Sequence, residues 1–198
     1  MPRPVFATDL DGCLLDSGAA FAAWYTRELG VQVWSEDLLT WKHDMCLGIQ
    51  SKVVTKMFTE IWTTDPMLVY PGARAFLKTV QAMDYRIVII TSRGLPNGKK
   101  DAEAAAWRDV LPLWDCFDEM IVMNNHDRHK FLYCDDLKAS WMLEDNTSIA
   151  VGCKLNAKTL REVFLLSRPW NRSKDIAGYL RVKSYEDILR HLAVNPVA

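Results

Sequence analysis

Residues 5–16 read VFATDLDGCLLD. Asp9 and Asp11 stand two apart where an apolar run ends, and Gly12 follows. On an extended chain such side chains share one face, roughly 6–7 Å apart. At an effective dielectric of ~20 their repulsion is on the order of 2–3 kcal/mol. A second acidic pair, Glu144 and Asp145, closes another apolar stretch, WMLED; either member brought to the first pair raises the cost. A hard divalent cation relieves such crowding, and Mg²⁺ suits a few carboxylates completed by water and phosphate oxygens. Gly12 lets the backbone turn sharply and leaves amides free to meet an anion. A third apolar stretch, RIVIITSR, ends in Thr91 and Ser92. Each acidic segment alone reads equally well as a solvated turn or a helix cap. All three together point to one shared site.

For that to hold, the elements must bring residues 9, 91 and 145 to one edge. VFAT at 5–8, RIVIIT at 86–91, EMIVMN at 119–124 and WMLE at 141–144 are short, apolar and without clean alternation. That is the pattern of parallel strands covered on both faces. EVFLL at 162–166 makes a fifth. Helical patterns lie between them: Phe76, Leu77, Val80 and Met83 form one stripe in 71–83, with Pro71 near the start, and KKDAEAAAWRDVL at 99–111 is Ala-rich. Near the end, RVKSYEDILRHL reads as a short extended piece and then a helix, with Ser184 and Asp187 spaced as a capping box. Strands alternating with helices predict an α/β fold, a doubly wound parallel five-stranded sheet. In such sheets ligands bind at the carboxyl ends of the strands. Residues 17–69 break the alternation with two helix-like stretches and no convincing strand, and read as a helical insertion after the first strand.

Of 198 residues, 49% are hydrophobic and 25% charged, with a net charge of −1. This is a globular composition, and the charge argues against a polyanion-binding surface. Any phosphate-bearing ligand is therefore read as a small one. Five scattered cysteines without a CxxC pair fit a reduced, cytoplasmic protein better than a disulfide scaffold. No apolar run approaches the ~20 residues of a membrane span. His126, Asp127 and His129 invite a zinc site but lack a third soft ligand. The absence of GxSxG and GxGxxG speaks against serine hydrolysis and dinucleotide binding.

DLDGCLLD, the Thr of IVIITSRG and LED at 143–145 together resemble the first, second and fourth motifs of the haloacid dehalogenase (HAD) superfamily of phosphatases. YPGARAFLKTVQAMDYRIVIITSR resembles the segment leading from that family's helical cap back into the core. FLLSRPWNR at 164–172 is similar to a signature of the 5′-nucleotidase branch, which includes the 5′(3′)-deoxyribonucleotidases. The resemblance implies a HAD-like core over 1–16 and 70–198 and a cap over 17–69. It implies a Mg²⁺-dependent phosphomonoesterase for a small phosphate ester, a (deoxy)ribonucleoside 5′-monophosphate in the first place. Asp9 would be the nucleophile forming an aspartyl-phosphate, and Asp11 the acid and then base. Asp9, the main-chain carbonyl of Asp11 and Asp145 would hold the metal, with Glu144 supporting them. Thr91 and Ser92 would bind phosphate together with a lysine, Lys130 in preference to Lys138. Ser140 departs from the branch, which often has an acidic residue there.

Among the tryptophans of the insertion, Trp41 looks least like part of a helical core stripe, and with Phe21 it is the candidate for substrate contact. Phe21 and Trp24 are close enough to the first motif to face the cleft. Arg168, Arg172 and Lys174 read either as a solvated loop or as residues orienting RPWN near the site. Two other readings stay open, a polynucleotide end-processing phosphatase and a non-catalytic nucleotide-binding module. Near-neutral charge and the cap disfavour the first; the full acidic set disfavours the second. The partner is then a small molecule, with no membrane and no nucleic-acid polymer, and a homodimer stays open.

Overall fold

The computed structural model describes residues 2–63, 68–92, 111–123, 129–172 and 178–197, with backbone alone at 62 and 63. The helix expected over 99–111 lies outside these residues except for Leu111, as do His126, Asp127 and Lys174. The strands are β1 (Val5–Thr8), β2 (Arg86–Thr91), β3 (Glu119–Val122), β4 (Ala139–Glu144), β5 (Glu162–Leu166) and β6 (Leu180–Val182). All pair in parallel, in the order β3-β2-β1-β4-β5-β6. The sheet therefore has six strands, not the five expected. The sixth is the short extended piece before the last helix, three residues paired on β5 through Phe164 and Leu180. So short a strand, with Arg181 at its centre, carries almost no apolar signal.

Alternate residues of the four inner strands, β1, β2, β4 and β5, enter opposite cores, which is why those runs are mostly apolar. On one face Phe6, Ile87, Ile89, Leu143 and Phe164 pack with Phe76, Leu77 and Val80 of α4 (Ala73–Ala82) and Ile188 and Leu192 of α7 (Tyr185–Val194). On the other, Val5, Ala7, Val88, Ile90, Met142 and Val163 meet Cys134 of α5 (Lys130–Asp136) and Ala150 and Cys153 of α6 (Thr147–Asn156). Burying each large apolar side chain contributes about 1.5–3 kcal/mol. The capping box of α7 forms as its sequence predicts: Ser184 Oγ accepts from Asp187 N, and Asp187 Oδ2 accepts from Ser184 N at 3.0 Å.

Between β1 and β2 stand α1 (Ser17–Leu29), α2 (His43–Leu47) and α3 (Ser51–Thr63). Asp16 caps α1 by accepting from Ala19 N, and Gly30 ends it in the left-handed conformation at φ +68°. These helices have their own core of Phe21, Trp24, Tyr25, Met57 and Ile61, which also takes in Trp170 from beyond β5. The chain leaves and rejoins the sheet side by side, Asp16 N donating to Leu68 O and Tyr70 N to Leu14 O. No helix among the described residues is long and apolar enough to cross a membrane.

Candidate active site

β1 lies at the centre of the sheet, between β2 and β4, at the point where the strand order reverses and open sheets present their ligand crevice. Asp9 comes immediately after it, its N–H donating to Leu143 O of β4 at 2.9 Å. The backbone then turns at Gly12, whose φ is +73°. A Cβ there would stand 2.1 Å from Asp145 Oδ2. Only glycine fits, for conformation and for space. The turn is pinned from two sides. Arg168 Nε donates to Gly12 O at 2.6 Å while its guanidinium lies 3.7 Å over the Tyr70 ring, and Tyr185 Oη donates to Cys13 O at 2.6 Å.

Lys130, at the first position of α5, sends its ammonium between two carboxylates. Nζ donates to Asp9 Oδ1 at 2.9 Å and to Glu144 Oε2 at 2.8 Å, with the lysine side chain 3% exposed. Glu144 in turn accepts from the N–H groups of Asp145 and Asn146. Burial works against the Lys130 charge, but Asp9 and Glu144 overcome it and hold the ammonium well above its ordinary pKa. Burial raises the Asp9 carboxyl to about 7, against the attraction of Lys130 and with help from Glu144. Asp145 is pushed up by burial first and then by Glu144 and Asp9, opposed by the Trp170 hydrogen bond.

Asp145 is held on one side only. Trp170 Nε1 donates to its Oδ2 at 2.7 Å, Asn171 Nδ2 donates to its carbonyl at 2.7 Å, and its Oδ1 is buried without a hydrogen-bond partner. Leaving a buried carboxylate oxygen unpaired is costly. Ligand atoms of Asp9, Cys13 and Asp145 lie within 4.8 Å of one another. An orphaned buried oxygen in a group of carboxylates fits a divalent cation bound by Asp9 and Asp145. The Asp11 side chain stands outside that group, held by Ser17 Oγ at 2.6 Å.

A cavity of about 240 Å³ opens on these groups, lined by Asp9, Asp11, Thr91, Ser92, Lys130, Glu144 and Asp145 on the sheet side. Phe21 of α1, Phe58 of α3 and Trp41 from the bend before α2 line it from the other side, with Asn146 and Ile149 at the start of α6. The structure thus brings Asp9, Asp11, Thr91, Ser92, Lys130, Asp145, Trp41 and Phe21 to one cavity. Lys138 is exposed in the turn after α5. Trp24 is buried elsewhere and donates to Glu60, so it does not face the cleft. His129 stacks on Phe131. Of the basic cluster, Arg168 orients the Gly12 turn, and Arg172 is exposed.

Sequence reasoning missed Trp170, Asn171 and Cys13 as neighbours of Asp145, and Phe58 as a wall of the cleft. The RPWN segment carried the signal for the first two; Cys13 and Phe58 look like ordinary core residues in sequence.

No protein-family model matches the chain, and no curated protein matches it by sequence. Solved structures do match its fold. A predicted phosphatase from Clostridium acetobutylicum superimposes with a TM-score of 0.65 at 15% identity, over 98% of this chain and 100% of that one. A predicted phosphoglycolate phosphatase from Haemophilus somnus 129PT gives 0.61 at 16%, over 96% and 98%. A HAD family hydrolase from Deinococcus radiodurans R1, solved with bound phosphate and sodium, gives 0.61 at 14%, over 98% and 96%. The fold is therefore the one these HAD proteins share.

Proposed function

We propose that the chain is a divalent-cation-dependent phosphomonoesterase acting on a small phosphate ester, specifically a (deoxy)ribonucleoside 5′-monophosphate. The observation carrying this reading is the placement of Asp9 in the cavity, 2.9 Å from Lys130 Nζ and grouped with an Asp145 whose Oδ1 has no partner. Asp9 and Asp145 would hold Mg²⁺ with the carbonyl of Asp11. The cation offsets the charge that a phosphate dianion brings to these carboxylates.

In this reading an Asp9 oxygen attacks phosphorus; the new P–O bond forms as the ester P–O bond breaks. Asp11 gives its proton to the departing oxygen, then accepts one from the water that hydrolyses the aspartyl-phosphate. Splitting the displacement in two lowers each barrier. Thr91 and Ser92 hydroxyls donate to phosphoryl oxygens, and Lys130 balances the charge that spreads over them, the positioning and electrostatic work phosphoryl transfer demands.

Phosphoglycolate phosphatases among the fold's neighbours favour a second substrate, one whose leaving group carries a carboxylate. Among the described lining residues, however, the only cation is Lys130, already engaged by Asp9 and Glu144, and the far wall is Phe21, Trp41 and Phe58. A planar, uncharged leaving group suits that wall better. The small cavity and net charge of −1 also suit a mononucleotide better than a polymer. The five free cysteines, four of them buried, accord with a reducing cytoplasm.

Phosphate release tests this, using nucleoside 5′-monophosphates, 2-phosphoglycolate and an oligonucleotide 3′-phosphate side by side. The expected result is turnover of a mononucleotide that EDTA or Asp9→Asn abolishes. Turnover indifferent to both would overturn the mechanism, and preference for 2-phosphoglycolate or the oligonucleotide would overturn the substrate.

A further inference from the structure

Cys13 is fully buried beside the two carboxylates, its Sγ within 4.8 Å of an oxygen on each. Mg²⁺ takes oxygen ligands and ignores thiols, whereas Zn²⁺ and Cd²⁺ favour them. We propose that Asp9, Cys13 and Asp145 form a mixed oxygen–sulfur site for a soft divalent cation, overlapping the site read above for Mg²⁺. The inference rests on that cation reading and not on the phosphatase chemistry.

Geometry and donor chemistry carry it. Zn–O and Zn–S bonds of about 2.0–2.3 Å place tetrahedral ligands roughly 3.5 Å apart. A contraction on the order of 1 Å by three rotatable side chains would close the site. Asp145 Oδ1 is buried without a partner, while Trp170 holds Oδ2 in place. The thiol is protonated before the ion arrives. As the metal–sulfur bond forms, the S–H bond breaks and its proton passes to solvent. A soft ion so bound takes Asp9 as ligand and excludes Mg²⁺ from the same carboxylates. The site would be inhibitory in the presence of thiophilic ions.

The test is a titration of the whole chain with Cd²⁺, with a phosphine as reductant, following the ultraviolet sulfur-to-cadmium charge-transfer band. The wild type is expected to develop the band with one equivalent, and excess Mg²⁺ to weaken apparent Cd²⁺ affinity at least tenfold. Cys13→Ser is expected to lose the band but keep the rise in melting temperature that Mg²⁺ produces. Asp145→Asn, a second route should the serine variant fold poorly, is expected to weaken the band's titration by a similar factor. A band that survives Cys13→Ser, ignores Mg²⁺, or never forms in the wild type overturns the proposal. None of these readouts involves turnover, so a protein without phosphatase activity could still pass, and an active phosphatase could still fail.

Discussion

Trp170 donates its indole N–H to Asp145 Oδ2 over 2.7 Å, while Trp41 rests on the Trp170 ring at a centroid distance of 5.2 Å. One side chain thus fixes the carboxylate and also belongs to the core of the inserted helices. Trp170→Phe keeps the ring contact and removes the donor. Outer-shell partners of metal ligands typically contribute 10–100-fold in affinity. Mg²⁺ affinity, measured by calorimetry or by the Mg²⁺-dependent melting shift, is expected to fall about tenfold, with a far smaller change in cation-free stability.

Gly12→Ala meets two obstacles at once, a φ of +73° and an Asp145 oxygen 2.1 Å from the new Cβ. Backbone strain and displacement of Asp145 should together cost about 2–4 kcal/mol. Urea denaturation measures that loss. Phosphate release is expected to drop about 10²-fold even at temperatures where the variant is folded.

The Lys130 contacts separate structure from chemistry. Lys130→Met leaves Glu144, 1% exposed at its side chain, without its cation, and breaking a buried pair in this way costs about 3–5 kcal/mol. Adding Glu144→Gln should recover part of that stability, because the unpaired buried charge disappears. Activity is expected to stay lost in the double variant, since Asp9 still has no ammonium beside it. Recovery of turnover along with stability would show that Lys130 only supports the fold.

His43 sets an acid limit on the inserted helices. It is buried against Phe21 and Phe58, with Tyr25 Oη 3.2 Å from its Nδ1. Burial lowers its pKa from 6.5 to about 4, against an opposing pull from Asp44. Above about pH 6.5 the ring is neutral in both folded and unfolded states. Between there and about pH 4 the unfolded chain binds the extra proton, so stability falls with pH, by on the order of 3 kcal/mol in full. Asp9 and Asp145, whose pKa values are raised, act in the opposite sense. The clean measurement is therefore the difference in unfolding free energy between wild type and His43→Gln, expected to vanish progressively or reverse as pH falls through that window.

Strands covered on both faces announce themselves as apolar runs, and five of the six here do so. β6 does not, because a three-residue edge strand with an arginine at its centre has little to bury. Asp9, Asp145 and Thr91 were legible because each directly follows or ends such a run, where parallel topology alone brings the ends together. Lys130 and its choice over Lys138 came from family resemblance; only the start of α5 beneath the cleft makes the contact to Asp9 visible. Trp170 lies 25 residues beyond Asp145, and no spacing rule links them. Cys13 sits in an apolar string and reads as core until the turn at Gly12 swings its sulfur toward the carboxylates.

The Gly12 turn also has a timetable. Its carbonyls at residues 12 and 13 are fastened by Arg168 and Tyr185, 156 and 172 residues further along the chain, so the loop waits for side chains made long after its own. A nascent chain that stops short of residue 168 therefore carries Asp9 without either half of the clasp that shapes the loop beside it.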